Sequence, residues 1–337
     1  MKKIVIFMMI LAILSGCSTT KQDKKTIHIA LSLYDANDAF ITEIAQHLEK
    51  LATEHVDENM VIDLYDGGGS QTLQNASMDE FIKKHYDMVW MNLVDRTAAS
   101  TIIEKGRKAD VPIVFFNREP VQSDMRLWNQ VYYVGSKGEQ SGILQGEIIL
   151  EKYRKHPEEV DKNKDGILQY VILEGELGHQ DASLRSDSCV KPFLEKGIPM
   201  ERLDSEVANW KKAQGRQQMQ NMLAQYKDEI EIVFSNNDEM ALGAIEALDQ
   251  TPYQAQVVGI DGTKEALEAI ADHRLDGTVL NDATAQAGYI FEITRRQLAG
   301  ESMRTLPFND YNQIHVDFLK ITPETITDIM KDKNLTF

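Results

Sequence analysis

Residues 88–116 read MVWMNLVDRTAASTIIEKGRKADVPIVFF. Two short apolar runs, Met88–Leu93 and Ile113–Phe116, flank an amphipathic segment of helical character. Apolar runs of this length, separated by amphipathic helices, are typical of strands in a parallel sheet that helices cover. The stretch therefore predicts a strand–helix–strand unit of an α/β protein.

The same alternation continues on both sides of this stretch, and the polar segment 156–165 divides it into two sets. A chain of 337 residues is long enough for two domains. We therefore expect two doubly wound, Rossmann-like α/β lobes. The predicted strands are Ile27–Leu33, Met60–Tyr65, Met88–Leu93, Ile113–Phe116 and Tyr132–Gly135 in the first set, and Gln169–Glu174, Glu201–Val207, Ile230–Ser235, Gln256–Ile260 and Gly277–Leu280 in the second.

The chain is acidic, with 53 Asp and Glu residues against 36 Lys and Arg and a formal charge of −17. Such a surface repels phosphate backbones and anionic headgroups. We therefore expect no nucleic-acid partner and no membrane binding through basic patches.

The first residues are typical of an export signal. Lys2-Lys3 precedes an apolar run, Ile4–Leu14, and Ser15-Gly16 precedes Cys17. This arrangement resembles a bacterial lipobox, so we expect a signal peptide over 1–16, lipidation of Cys17 and a tether over 17–25. The membrane would then be reached through the lipid anchor only. An uncleaved anchor or a signal without lipidation is the alternative.

Polar side chains follow the predicted strands in both sets. The carboxyl ends of strands are where wound sheets bind ligands, so these amides and carboxylates are candidates for a binding site. Asp and Asn are also preferred helix N-caps, which is the alternative at each position. The residues are Asp38, Asn92, Asp95, Asn236, Asn237, Asp238, Asp261, Asn281 and Asp282.

Residues 161–169 read DKNKDGILQ. Oxygen-bearing side chains stand at positions one, three, five and nine, with glycine at six, which is the spacing of an EF-hand calcium loop. Position twelve is Ile172 rather than glutamate, and a strand is predicted to follow. The spacing predicts a structural calcium site whose last carboxylate comes from elsewhere in the chain.

Several segments resemble the family of galactose/glucose-binding proteins, the sugar receptors of methyl-galactoside ABC importers. The resemblance runs from about residue 26 to the C-terminus and implies the type I fold of periplasmic binding proteins. The matching segments are NLVD at 92–95, VFFNREP at 114–120, YYVG at 132–135, GELGH at 175–179 and GTVLNDA at 277–283.

The resemblance implies that a hexopyranose is held between the lobes, stacked between Phe40 and Trp210. An aromatic ring can stack on the apolar face of a pyranose. Taken alone, Trp210 before a helix would more often belong to the core. The remaining implied ligands are Asp38, Asn92, His179, Asp181, Arg185, Asn237, Asp261 and Asn281.

The chain departs from the family pattern at three places. The segment before Phe40 is about one residue longer, which makes Asp35 a rival to Asp38 as the acid of the first lobe. Leu177 and Gln180 stand where we expect proline. These changes bear on affinity and on the preference among sugars.

The resemblance also completes the calcium site. It implies Asp161, Asn163, Asp165, Gln169 and the carbonyl of Ile167 as ligands. It also implies Glu231 as the source of the distant carboxylate.

The resemblance implies two lobes hinged about crossover strands. The strand count places three crossovers, near 135–138, 281–283 and 316–319, which makes the lobes discontinuous. We place the N-terminal lobe at 26–135 and 283–317, and the C-terminal lobe at 136–282 and 318–337.

The resemblance implies transport rather than catalysis. We expect a monomer that passes galactose or glucose to an ABC permease served by a separate ATPase subunit. A chemoreceptor is a further possible partner, so a sensory module is one alternative, and the same fold binding another sugar is a second. A glycoside hydrolase would also use paired carboxylates in a cleft. Nothing in the sequence marks an acid held protonated, so we expect no enzyme and no catalytic residue.

Overall fold

The computed structural model of the protein describes residues 26–56 and 59–333. The predicted signal peptide, Cys17 and the tether lie outside these residues and stay predictions. Within the described ranges, every helix is either too short or too polar to cross a bilayer.

The first sheet is entirely parallel, in the order β11-β5-β4-β3-β1-β2. Helices pack on both faces because successive strand residues point to opposite sides and both sides are apolar. Its strands are β1 (Ile27–Leu33), β2 (Met60–Asp66), β3 (Met88–Met91), β4 (Ile113–Phe116), β5 (Val131–Gly135) and β11 (Gln313–His315). Its helices are α1 (Ala39–Glu54), α2 (Gln71–Lys83), α3 (Ala99–Ala109), α4 (Gln122–Met125) and α12 (Ala283–Ala299).

The second sheet has a parallel part in the order β7-β6-β8-β9 and an antiparallel pair, β10-β12. Two parallel bridges, Val258 with Gly277 and Asp261 with Leu280, join the two parts. The strands are β6 (Leu168–Glu174), β7 (Met200–Val207), β8 (Ile232–Ser235), β9 (Gln256–Val258), β10 (Thr278–Leu280) and β12 (Leu319–Ile321). The helices are α5 (Gly138–Lys155), α6 (Pro157–Val160), α7 (Gln180–Ser188), α8 (Lys191–Leu194), α9 (Lys212–Tyr226), α10 (Asp238–Leu248), α11 (Lys264–Ala271) and α13 (Ile326–Lys333).

The predicted class of two wound α/β sheets is confirmed. The chain passes between the sheets three times: after β5, after β10, and between β11 and β12. Carboxyl ends of parallel strands from both sheets face the region between them, where wound sheets bind ligands.

Several predicted strand ends are wrong. β3 stops at Met91 because the Asn92 side chain bonds to Tyr34 N and to the Phe116 carbonyl. β8 starts at Ile232, so Glu231 precedes the strand instead of lying within it. β9 ends at Val258, two residues early. The strands β11 and β12 were not predicted, because three residues each are too few to show a period.

Candidate functional site

A cleft between the two sheets, with about 350 Å³ of space including its mouth, collects most of the predicted sugar-binding residues. Eight of the ten line it: Asp38, Phe40, His179, Asp181, Arg185, Trp210, Asn237 and Asp261. Four further lining residues were not predicted: Tyr34, Ile41, Asn117 and Arg118.

The two predicted stacking residues reach the cleft from different sheets. Phe40 lies in the first turn of α1, and Trp210 follows β7. Trp210 lies over Gly175, where a Cβ atom would come within 2.1 Å of the indole ring. Asn209 and Trp210 both have left-handed backbone, with φ of 50° and 65°. Strain of this kind in non-glycine residues concentrates at functional sites because the surroundings must hold it.

Buried charge gathers on the C-terminal side of the cleft. Arg185 is 4% exposed, and its Nη2 lies 4.0 Å from Oδ1 of Asp261. Its Nη1 donates to the Asn236 carbonyl at 2.7 Å, while its Nε is buried with no partner. Burial raises the pKa of Asp261 well above its ordinary value and also raises the pKa of Asp181, and Arg185 opposes both shifts. The Nε atom of Arg185 is therefore available to a polar partner that the protein itself does not supply.

His179 caps α7 and faces the indole edge-on. Its Nδ1 accepts a hydrogen bond from Asp181 N at 3.1 Å, which assigns the proton to Nε2. The ring centroid lies 5.0 Å from that of Trp210 at 75°. Burial, followed by the nearby positive charge of Arg118 and Arg185, lowers the pKa of His179 well below its ordinary value. His179 is therefore a neutral donor.

Two of the lining residues are helix N-caps as well. Asp38 caps α1 by accepting from Ile41 N at 3.0 Å, and its other oxygen accepts from the Tyr34 hydroxyl at 2.6 Å. Asn237 caps α10, and its Nδ2 donates to the Trp210 carbonyl at 3.1 Å. Asp38 and Asn237 therefore cap helices and also line the cleft. The rival acid Asp35 is outside the cleft lining, where it accepts hydrogen bonds from Asn37.

Asn92 and Asn281 are buried and are not part of the cleft lining. Asn92 holds two residues that do line it, through bonds with Tyr34 N and Asn117 Oδ1. The Asn281 oxygen accepts from Ser136, in the segment that follows β5. The structure therefore places both as supports of the cleft.

Arg118 is the main residue that the sequence analysis did not assign. It lies 3.7 Å above the ring centroid of Tyr34, in a cation–π contact. Its Nη2 donates to Oε2 of Glu176 at 2.6 Å, an ion pair that joins loops of the two sheets. Its position after a predicted strand was the available signal, since Asn117 and Arg118 follow β4 as Asn92 follows β3.

Hydrogen bonds between oxygens and amides of the predicted calcium loop stabilise its shape. Glu231 accepts from Lys162 N at 2.7 Å and from Gln169 N at 3.1 Å, so its carboxylate does reach the loop. Asp161 accepts from Gly166 N through Oδ2, while its Oδ1 is buried with no partner. That orphaned carboxylate oxygen fits a cation ligand.

The carboxylates of the predicted calcium site need further ligands to hold a metal ion. Among the residues that the structure describes, no group of three or more His, Cys, Asp or Glu side chains is arranged to hold a metal. The predicted set therefore depends on its neutral oxygens, those of Asn163, Gln169 and the Ile167 carbonyl, in addition to Asp161, Asp165 and Glu231.

Comparison with known proteins confirms the resemblance. Residues 29–302 match the family model described as periplasmic binding protein domain. The chain is 34% identical over 275 residues to the D-galactose/methyl-galactoside binding periplasmic protein MglB of Haemophilus influenzae, covering 81% of this chain and 82% of that one. It is 27% identical to the ribose import binding protein RbsB of Bacillus subtilis, covering 82% and 86%.

A solved structure shares this architecture. The solute binding protein of an ABC transporter from Bacillus halodurans, with bound myo-inositol, is 28% identical, with a TM-score of 0.76 over 93% of this chain and 99% of that one. These relatives are binding proteins rather than enzymes, as expected from the sequence. The chain belongs to the family of periplasmic binding proteins.

Proposed function

We propose that this protein captures a hexopyranose, D-galactose or D-glucose, on the outer side of the cell membrane and delivers it to the permease of an ABC importer. One observation carries the proposal: Phe40 and Trp210, from different sheets, line the same cleft as half-buried Asp181 and buried Arg185 and Asp261. Lipidation at Cys17 would keep the protein at the membrane.

The chemistry of the cleft suits a pyranose. Aromatic faces bind the apolar side of the ring, while its rim of hydroxyls needs both donors and acceptors. Arg185 and neutral His179 donate, and the carboxylates of Asp181 and Asp261 accept. A relative named for ribose import and a solved structure with bound myo-inositol make another sugar or polyol the second candidate. The pair of aromatic residues favours a six-membered ring.

Binding and closure are linked in this proposal. A ligand held by groups of both sheets favours the conformation in which the sheets approach. Arg118 and Glu176 form an ion pair across the cleft, which would support this approach, and Asn281 and Ser136 bond at the crossovers. A permease would read the closed form, and a separate subunit would hydrolyse ATP.

We also propose that the loop 161–169 binds calcium. Asp161, Asn163, Asp165, Gln169, the Ile167 carbonyl and Glu231 would hold the ion. Calcium would neutralise the carboxylates of Asp161, Asp165 and Glu231. It would also hold the start of the second sheet in place, since β6 follows the loop directly.

Titration of the soluble chain from Ser18 with D-galactose, D-glucose, D-ribose and D-xylose tests the function. We expect saturable hexose binding that changes the fluorescence of Trp210. By calorimetry, Trp210→Ala should weaken this binding by roughly 10- to 100-fold because the burial of an aromatic side chain against the sugar is lost. Trp128→Phe, at a tryptophan that packs on the first sheet, is the matched control. A folded protein that binds none of the hexoses would refute the proposal.

Affinity should also depend on pH. Burial raises the pKa of Asp181 and of Asp261, and the ionised forms accept hydrogen bonds from hydroxyls more strongly than the protonated forms. Protons therefore compete with the sugar as the pH falls, and the affinity should drop by up to about tenfold per pH unit for each proton taken up. Calorimetry between about pH 8 and pH 5 measures this, and an equal affinity throughout would contradict it.

A further inference from the structure

Asp238 is a buried carboxylate that the proposed sugar contacts do not use. It is 0% exposed, begins α10 directly after the cleft residue Asn237, and is not part of the cleft lining. Its Oδ2 accepts hydrogen bonds from Gly262 N at 2.7 Å and from Thr263 N at 2.8 Å. Its Oδ1 accepts from the Thr278 hydroxyl at 2.6 Å. The protein itself therefore supplies partners for both oxygens, as a buried carboxylate without a ligand requires.

These bonds hold the chain on both sides of Asp261. The backbone N–H of Asp238 donates to the Ile260 carbonyl at 2.8 Å, just before Asp261. The Asp238 carboxylate accepts from the amides of Gly262 and Thr263, just after it. Asp261 and Gly262 have positive φ, of 125° and 78°. Since strain in a non-glycine residue persists only where the surroundings hold it, the contacts of Asp238 fix the turn that carries Asp261.

The same short segment also holds the partner of Asp261. The Asn236 carbonyl accepts from Nη1 of Arg185 at 2.7 Å. Nη2 of Arg185 lies 4.0 Å from Oδ1 of Asp261. Asn236 and Asp238 both follow β8, and they are two residues apart. One end of one strand therefore sets the positions of both charged groups on this side of the cleft.

Asp238 and Asp261 also interact through their charges. Burial is the main cause of the raised pKa of Asp261, and Arg185 opposes it. The charges of Asp238 and Asp38 add to the rise. Burial raises the pKa of Asp238 itself to about 7, against its hydrogen bonds from uncharged donors. An ionised Asp238 therefore makes Asp261 easier to protonate.

We infer that Asp238 is a positioning residue for sugar binding: it fixes the turn 260–263 so that the carboxylate of Asp261 stays in the cleft beside Arg185. The inference rests on the proposed function, in which Asp261 accepts sugar hydroxyls. Asp238 then sets the affinity without touching the sugar. A purely structural Asp238 would change the stability of the second lobe and leave the affinity of the folded protein unaltered.

Calorimetric titration of Asp238→Ala and Asp238→Asn with the preferred hexose, between about pH 8 and pH 5, tests the inference. Asp238→Ala removes the acceptor for both amides of the turn, so affinity at about pH 8 should fall by roughly tenfold or more. In Asp238→Asn the side-chain oxygen can accept from these amides and the nitrogen can donate to Thr278, so affinity should stay within about threefold. Asp276→Asn, at a carboxylate that accepts from Val257 N outside the cleft lining, is the matched control and should keep the affinity.

The pH profile is a second measurement, which a purely structural role would not change. Asp238→Asn removes a negative charge that acts on Asp261, and this lowers the pKa of Asp261. Protons then compete with the sugar only at lower pH. The midpoint of the loss of affinity should therefore move to lower pH by roughly half a unit or more, while Asp276→Asn should leave it in place.

The outcomes separate the inference from the function beneath it. If the unaltered protein binds a hexose and folded Asp238→Ala loses less than about threefold in affinity, the positioning role is overturned and the hexose receptor stands. An Asp238→Asn variant that binds as weakly as Asp238→Ala also overturns it, because the hydrogen bonds would then not set the affinity. If Asp238→Ala does not fold, an unchanged pH profile in Asp238→Asn overturns it. Failure of every sugar to bind removes both proposals.

Discussion

Asp261→Asn is expected to reduce hexose affinity by roughly 100-fold or more, because hydrogen bonds to charged groups contribute about 1.5–3 kcal/mol each and a carboxylate accepts two. Asp261 is 7% exposed and is the carboxylate beside Arg185, whose Nε has no partner in the protein. Removing its charge weakens the binding of sugar hydroxyls and leaves the guanidinium less well compensated. Asparagine keeps the shape of the side chain, and aspartate already holds the unusual backbone there, with φ of 125°.

Calorimetric titration with the preferred hexose measures this loss. Asp272→Asn, at an exposed position after α11, changes the same charge away from the cleft and should leave affinity unaltered. The melting temperature of Asp261→Asn shows whether the variant is folded. A folded variant whose affinity falls less than threefold would show that Asp261 does not bind the sugar.

The sheets could be predicted from the sequence because their strands are short apolar runs between amphipathic helices. The pattern at residues 88–116 corresponds to β3, α3 and β4 in order. β11 and β12 could not be found in this way. They are defined by pairing with Tyr133–Gly135 and with Thr278–Leu280, which are distant in sequence.

The sequence indicates which polar residues follow strands. It does not indicate which of them line the cleft and which lie behind it. Asp261 and Asn92 both follow strands, yet one lines the cleft and the other supports it from behind. That difference depends on the neighbours to which each side chain forms hydrogen bonds. These neighbours cannot be identified from the sequence. Arg118 was missed for a related reason: its role comes from Tyr34 and Glu176, which only the fold brings together.

The stability of the second lobe should depend on calcium. Asp161 and Asp165 lie in one loop with Glu231 against it, and burial, with the charge of Asp161 adding, raises the pKa of Glu231. A cation relieves this repulsion and binds the folded state alone. At free calcium about 1,000 times the dissociation constant, binding adds about 4 kcal/mol to the free energy of unfolding. In domains of this size that corresponds to a rise in melting temperature of roughly 8–15 °C.

Asp161→Asn offers the sharpest test. Its Oδ2 accepts from Gly166 N and its Oδ1 has no partner, so the amide can keep the bond through its oxygen and place its nitrogen at the orphaned position. In the presence of a chelator the variant should therefore melt close to the unaltered protein. In calcium it should lack most of the rise in melting temperature.

Glu229→Gln, exposed two residues before Glu231, is the control and should keep the whole rise in melting temperature. Differential scanning calorimetry with calcium and with EGTA, together with equilibrium dialysis of the ion, measures both quantities. If the unaltered protein melts at the same temperature in both and retains no calcium, the loop is a polar turn held by its own hydrogen bonds, and Glu231 serves only to accept the amides of Lys162 and Gln169.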